Sequence, residues 1–462
     1  MSTLAHSPFK AYDLRGRVPE ALNTERAYAI GSAYAEVIQP SGPVAVGRDM
    51  RLSSPGLADA LIKGLNSAGC DTIDIGLVGT EMVYHAASRD GMGGGIMVTA
   101  SHNPADYNGM KLVREHAIPV SGDTGLKDIE AALARNEAKT GAEIDATLTD
   151  SQPGVQRNED VGDEYAKRML SHIDAKAIRS MKLVVNAGNG CAGPAFDRLV
   201  DPLPLSVYRL HHDPDGTFPN GVPNPLLPEN RAETAQAVRD QKADFGIAWD
   251  GDYDRCFFFD EDGRFIEGYY LVGLFAATLL EQHPGQKIVL DPRLTWNTLD
   301  LVKQAGGTAL INKSGHAFIK ERMRKENALY GGEMSAHHYF RDFSYCDSGM
   351  LPWLLLAQTL SKHDQTLGEM LDDRIEAYPC SGEMNFSVDD TDQTIAAVLS
   401  HFQTQNPKLD RTDGISLEFK EWRFNLRASN TEPVIRLNVE TRANPDLLAD
   451  RVGELSELIQ QN

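Results

Sequence analysis

Three carboxylates at alternate positions, Asp250, Asp252 and Asp254 in the run DGDYDR, lie directly after the apolar stretch FGIAW. That donor set suits a hard divalent cation, and three acids just beyond a buried strand repel one another unless a counter-ion joins them. A solvated acidic turn is the plainer reading, and the strand in front of it weighs against it. Glu261 even stands where an EF-hand places its last ligand, but Arg255 replaces the required glycine and strands, not helices, flank the loop. A second run, VTASHNPADYNGMK at 98–111, brings Ser101, His102, Asn103, Asn108 and Lys111 close in sequence. Serine beside histidine invites a hydrolase reading, yet neighbours in extended chain point apart and no GxSxG elbow is present. Ser101 alone reads as a capping hydroxyl; the donors and turn formers after it favour a site.

Two more runs extend the chemistry. In YGGEMSAHHYF, Glu333 and Ser335 stand at alternate positions and can share a face to grip a vicinal diol. His337 and His338 follow without a recognised metal-ligand spacing. In RASNTEP, Arg427 with Ser429, Asn430 and Thr431 suits a phosphate dianion, against the alternative of a hydrogen-bonded hairpin turn. KSGH and DPRL add Lys313, His316 and Arg293 near other strand ends. A nucleophilic serine, a cation, a hydroxyl gripper and a phosphate cradle together describe phosphoryl chemistry on a polyhydroxylated substrate. No Walker loop and no kinase HRD appear, so the phosphoryl donor is expected to be the enzyme itself. A phosphate-ester hydrolase is the rival from another class; its haloacid-dehalogenase form wants DxDx[TV], where Asp254 stands instead. A noncatalytic sugar-phosphate binder would leave Ser101, Lys111 and the acidic triplet without a reason to coexist.

The elements that must carry these loops are short β-branched runs, VAVG, TIDIG, GIMVTA, KLVVN, FGIAW and KIVLD, alternating with helical periodicity, the pattern of α/β domains. Around RLSSPGLADALIKGLNSAG, Ser54 is expected to cap a helix, with Pro55 in its first turn, Leu57, Leu61 and Leu65 on one face and Gly69 at its end. With 462 residues the chain has room for three or four domains. The polar, turn-rich stretch 136–160 marks a first boundary, and the expected domains are 1–155, 156–256, 257–370 and a smaller α+β domain at 371–462. The strands EWRFNLR and VIRLNVE flank the RASNTEP turn, and Asn444 with Pro445 opens a last helix. A net charge of -21 argues against nucleic acid or an anionic membrane as partner. The longest apolar runs, LVGLFAATLL and LPWLLLAQTL, are too short to span a bilayer, and the five cysteines lack CxxC spacing, so a cytoplasmic protein with reduced thiols is expected.

TASHNP, DGDYDR, GEMSAHHYF and RASNTEP occur in the order and spacing of the α-D-phosphohexomutase family, and the sequence resembles that family over essentially its whole length. The resemblance implies a heart-shaped protein of four domains, three similar α/β units and a phosphate-binding α+β lid. It implies that Ser101 is carried as phosphoserine, that Asp250, Asp252 and Asp254 with a Ser101 phosphate oxygen hold Mg2+, and that hexose 1,6-bisphosphate serves as activator. Lys111 is implied as proton shuttle, with His316 and Arg15 as helpers and Arg255 offsetting charge. Glu333 and Ser335 match the sugar-hydroxyl contacts and Arg427, Ser429, Asn430 and Thr431 the phosphate loop; His102, Arg293, Lys313 and His337 complete the expected substrate contacts. The implied reaction interconverts mannose 6-phosphate and mannose 1-phosphate, with glucose phosphates or dual specificity as the alternative. The substrate partner is thus a phosphorylated hexose, and a monomer or weak homo-oligomer is expected. Two departures stand out: Tyr253 replaces the usual middle glycine of the metal motif and Ala336 the glycine after Ser335.

Overall fold

The computed structural model describes residues 7–137, 152–428 and 434–461. The chain divides into two compact units, Met1–Phe259 with Cys346–Lys362, and Asp260–Tyr345 with His363–Asn462.

The first unit holds two sheets. Strands β1 (Leu14–Arg17), β2 (Val44–Arg48), β3 (Thr72–Leu77), β4 (Gly94–Val98), β5 (Tyr107–Arg114) and β6 (Gln156–Asn158) form one in the order β1-β5-β4-β2-β3-β6. β2 runs parallel to β3 and β4, while β5 turns back antiparallel to β4. Strands β7 (Met181–Asn186), β8 (Leu205–Leu210), β9 (Phe245–Trp249) and β10 (Cys256–Phe259) run in the order β10-β9-β7-β8, with β7 parallel to β8 and β9. The central strands β2, β4, β7 and β9 are largely buried on both faces and are near-continuous apolar runs, which is why they are legible without alternation. Helix α1 (Thr24–Ile38) is capped by the Asn23 side chain and packs on α2 (Ser54–Ser67). The α2 face of Leu57, Leu61 and Leu65 enters one core with Val44, Val46, Ile96 and Val98. The cap expected at Ser54 moves by one residue. Ser53 occupies the N-cap position, and Ser54 is buried, its Oγ donating to Asp49 Oδ1 at 2.5 Å and accepting from Asn108 Nδ2 at 2.9 Å. The boundary stretch contributes β6, paired parallel to β3 although all three of its residues are exposed; residues 138–151 lie outside the described residues.

The second unit opens with the short strand β11 (Phe265–Ile266). Strands β12 (Lys287–Leu290), β13 (Thr308–Ile311), β14 (Tyr330–Gly332) and β15 (His338–Phe340) follow, in which β12 pairs parallel with β13 and β14, and β15 antiparallel with β14. β16 (Cys346–Asp347) returns to the first unit. The C-terminal domain is a smaller antiparallel sheet, β17 (Met384–Ser387), β18 (Lys408–Asp410), β19 (Ile415–Glu418), β20 (Trp422–Ala428) and β21 (Val434–Thr441), in the order β17-β21-β20-β19-β18. Helix Pro445–Gln460, capped by Asn444, packs on this sheet, and Phe402, Trp422, Phe424, Leu437 and Ile459 share its core.

The two long apolar runs form helices, Gly268–Gln282 and Leu351–Lys362, most of whose residues are buried. Among the described residues no helix is long and apolar enough to cross a membrane, and all five cysteines are free thiols.

Helix α3 (Thr80–Ala87) lies wholly inside the first unit and brings Glu81 into the core, where the Tyr165 hydroxyl donates to its carboxyl. Burial pushes this carboxyl from 4.5 up to about 8. The folded chain therefore binds this proton more tightly than the unfolded one, and stability falls as pH rises from about 4.5 to about 8. Glu81→Gln is expected to make the fall shallower over that window, read as the pH dependence of the urea midpoint. Parallel curves for the two proteins would contradict the assignment.

Candidate active site

Ser101 follows β4 in a loop that must turn sharply, and its backbone is left-handed, with φ 50°. The extended geometry expected at 101–102 therefore does not form. Ser101 Oγ lies 3.0 Å from His102 Nδ1 and donates to Asp250 Oδ2 at 2.6 Å. His102 is nonetheless a poor base. Its Nδ1 also accepts from Arg255 Nη2, and burial together with the Arg255 charge holds its pKa well below the ordinary value.

The acidic triplet follows β9. Asp250, Asp252 and Asp254 are all buried, and each offers a carboxylate oxygen within 4.8 Å of the others. The repulsion expected there is partly met by the chain itself. Arg255 donates to Asp250 Oδ2 through Nε at 2.9 Å and Nη2 at 2.7 Å, and Lys111, on β5, pairs with Asp252 Oδ2 at 2.7 Å and with Asp254 Oδ2. Burial acts to lower the Lys111 pKa, but Asp252 and then Asp254 outweigh it and hold the ammonium above its ordinary range. Burial likewise pushes Asp250 up to about 6 despite Arg255. Asp252 Oδ1 is buried without a hydrogen-bond partner. Three convergent carboxylates and an orphaned oxygen fit a hard cation.

Tyr253 explains why glycine is usual between these acids. Its φ is 44°, a conformation costly for a side chain, and its ring is fully buried so close to Gly79 that a Cβ there would lie 2.0 Å from Tyr253 Cε1. Ala336, the second departure, has φ 69°. Both positions keep the glycine-like backbone with another residue. Arg15, beside the triplet, pairs with Asp13 through Nε at 2.8 Å and donates to Asn103 Oδ1 at 2.5 Å. Burial opposes its charge, yet Asp13 holds its pKa above the ordinary range, so it offers positive charge and no proton relay.

The second unit gathers the remaining candidates. Glu333 follows β14, and both carboxylate oxygens are engaged, Oε1 by the Gly315 N–H at 2.8 Å and Oε2 by the Tyr339 hydroxyl. Arg293, beyond β12, forks onto Asp291 at 2.9 and 3.0 Å and donates to Ser335 Oγ at 3.2 Å. His337 Nδ1 lies 3.4 Å from Ser335 Oγ and 3.5 Å from Glu333 Oε2. His338 points the other way along β15 into the core, where Tyr330 bonds its Nδ1 and burial holds it down to about 3. That removes it as a ligand beside Glu333. His316 starts the helix His316–Glu326, directly after the glycine that holds Glu333, and Lys313 sets its ammonium 3.4 Å from the centroid of the Phe318 ring. Arg427 lies within β20, not in the turn, and Ser429, Asn430 and Thr431 lie outside the described residues.

Three contributors escaped the sequence reading. Thr80 Oγ1 donates to Asp252 Oδ2 at 2.5 Å and accepts from Lys111 Nζ at 3.3 Å. Glu383 receives Arg293 and Arg427 at 3.2 Å each and Arg436 at 3.5 Å. Burial acts to raise its pKa, but the three guanidiniums bring it down to about 2. Arg427 and Arg436 sit directly opposite each other across β20 and β21, a like-charged pair that calls for such a counter-ion. The register is the one signal that would have found it.

A buried serine bonded to an acidic triplet, on parallel α/β sheets, with a separate arginine-rich cluster, defines an enzyme of phosphoryl transfer. The chain belongs to the phosphoglucomutase/phosphomannomutase family: residues 6–140, 163–263 and 267–378 match the family's alpha/beta/alpha domains I, II and III, and 383–458 its C-terminal domain. It is 55% identical over 452 residues, 98% of this chain and 99% of the relative, to proteins named phosphohexose mutases from Xanthomonas campestris pv. campestris. It is 53% identical over 456 residues, 98% of each chain, to a phosphomannomutase from Salmonella montevideo. A crystal structure of a phosphoglucomutase/phosphomannomutase family protein from Burkholderia thailandensis matches with TM-score 0.86 and 32% identity over 98% of both chains.

Lys111→Met strips the ammonium from Asp252 and Asp254. In a chelator-treated sample it is expected to destabilise the chain by about 3–5 kcal/mol, and added divalent cation is expected to restore most of the loss in urea unfolding. Equal stability with and without the cation would contradict a cation site at the triplet.

Proposed function

We propose that this chain is a phosphomannomutase, interconverting mannose 6-phosphate and mannose 1-phosphate with Ser101 as the phosphoryl carrier. The observation that carries the reading is the Ser101 hydroxyl held 2.6 Å from Asp250 within a buried triplet that two cations of the chain already face. Phosphoserine gives its phosphoryl group to O1 of mannose 6-phosphate: the P–Oγ bond breaks, the P–O1 bond forms, and the O1 proton passes by way of a base to Ser101 Oγ. The resulting mannose 1,6-bisphosphate turns over; the P–O6 bond breaks as the P–Oγ bond forms, the Ser101 hydroxyl proton passes to O6, and mannose 1-phosphate is released. A hexose 1,6-bisphosphate is accordingly the activator that charges an unphosphorylated serine.

Asp250, Asp252 and Asp254 would hold Mg2+ with a phosphoserine oxygen. Bound there, the ion offsets the charge on the phosphoryl group as it moves. Arg255 and Arg15 add fixed positive charge around the serine loop. Lys111, an ammonium while both aspartates hold it, becomes able to exchange a proton with the sugar oxygen once those carboxylates are taken up elsewhere. Glu333, Ser335 and His337 bind sugar hydroxyls, with His316 beside them. Arg293, Arg427 and Lys313 receive the phosphate that is not reacting, together with the loop residues Ser429, Asn430 and Thr431.

The phosphohexose mutase name of the Xanthomonas relatives favours a second reading, dual specificity for mannose and glucose phosphates. Intact-mass analysis is expected to show one covalent phosphate that Ser101→Ala lacks, with mutase activity lost in that variant. Coupled assays on mannose 6-phosphate and glucose 6-phosphate, each with Mg2+ and a trace of bisphosphate, separate the two readings. Faster turnover of mannose 6-phosphate supports the first and comparable rates the second. Activity without phosphoserine, or inorganic phosphate as the main product, would overturn both.

A further inference from the structure

Arg51 is a buried guanidinium that the reaction described above does not use. Its two terminal nitrogens donate to four backbone carbonyls of the serine loop: Nη2 to Ser101 at 2.9 Å and Asn103 at 2.6 Å, Nη1 to Pro104 at 2.7 Å and Tyr107 at 2.9 Å. Its Nε faces Asp49 Oδ2 at 3.3 Å, and its guanidinium carbon lies 5.2 Å from the centroid of the Phe218 ring. Asp49 in turn accepts from the Arg51 N–H and from Ser54 Oγ, so the cation is held at its own end as well. The Ser101 carbonyl is also covered from the metal loop, where a Cβ on Gly251 would lie 2.5 Å from it. The Ser101 peptide is thus fixed between a fork of donors and a glycine, in a left-handed conformation that a serine does not adopt freely.

We propose that Arg51 is a positioning residue that holds the serine loop in its transferring geometry, and so decides whether phosphoserine passes its phosphoryl group to the sugar or to water. The proposal rests on the phosphoserine reading above. Only a planar fork reaches four carbonyls from one side chain; lysine offers a point charge and cannot span them. If the loop relaxes, the phosphoryl group leaves alignment with the sugar oxygen while remaining open to water. Water oxygen then bonds to phosphorus, the P–Oγ bond breaks, the proton goes to Ser101 Oγ, and hydrogen phosphate is released.

The test compares wild type, Arg51→Lys and Asp49→Asn, each charged with a hexose 1,6-bisphosphate and checked for phosphoserine by intact mass. Arg51→Lys is expected to lower kcat by about 100-fold with little change in KM, while inorganic phosphate released per mutase turnover rises. Asp49→Asn keeps the guanidinium but loosens its anchor, and is expected to move both quantities the same way by less; it decides the matter if Arg51→Lys does not fold. Arg51→Gly is expected to recover part of its kcat with added guanidinium ion. An unchanged ratio of phosphate release to turnover in both charged variants would overturn the proposal, whereas absence of phosphoserine from wild type would overturn the mutase reading instead.

Discussion

Charge balance among buried carboxylates governs this molecule. Asp250, Asp252 and Asp254 have almost no exposure, and at their separations unscreened carboxylates cannot all stay ionised without positive charge beside them. Lys111 and Arg255 supply two such charges and leave the triplet one short; burial first, and the neighbouring Asp254 and Asp252 after it, raise Asp250 against the pull of Arg255. A phosphorylated serine at this spot adds nearly two negative charges. The same deficit that makes this a poor place for three acids makes it a good place for a divalent cation, and only with that cation bound does it suit a phosphoryl group.

The scaffold serves that balance. Asp250 and Glu333 directly follow β9 and β14, and Ser101 stands in the loop after β4; the ends of parallel strands are where open α/β sheets present their loops. The loops themselves are strained. Ser101, Tyr253 and Ala336 all take left-handed backbone, a cost on the order of 1–3 kcal/mol each. Tyr253 offsets its share by burying a whole aromatic ring against Gly79, where helix α3 starts; the next residue, Thr80, orients Asp252. Arginine–carboxylate clusters perform the corresponding task in the second unit, where Glu383 separates three guanidiniums that would otherwise repel one another.

Much of this was legible in the sequence, for reasons that differ by element. Strands such as VAVG and FGIAW are buried on both faces and show as apolar runs, and the acidic triplet announces itself by its alternation. The strand pair around RASNTEP and the Asn444 cap follow from period and capping chemistry alone. What stayed hidden depends on the third dimension. β6 is exposed and pairs through its backbone, so no side-chain pattern marks it. Ser54 turns inward because Asp49 and Asn108 are there to receive it. Lys111 reaches Asp252 across 141 residues of chain, and Glu383 becomes part of the arginine cluster only once β20 and β21 are in register. The left-handed turn at Ser101, which brings its hydroxyl to His102, sits in a loop whose carbonyls receive Arg51 from 50 residues away, a contact that no local pattern marks.

The proposed transfer requires phosphoserine and the cation of the acidic triplet to be immediate neighbours. Phosphorus NMR of the phosphorylated chain, titrated with Mn2+ as the paramagnetic stand-in for Mg2+, reads that proximity directly. The phosphoserine resonance is expected to broaden beyond detection as Mn2+ binds, and to persist at the same Mn2+ concentration in Asp252→Asn. A resonance that stays sharp while Mn2+ is bound to the wild-type chain would contradict that proximity.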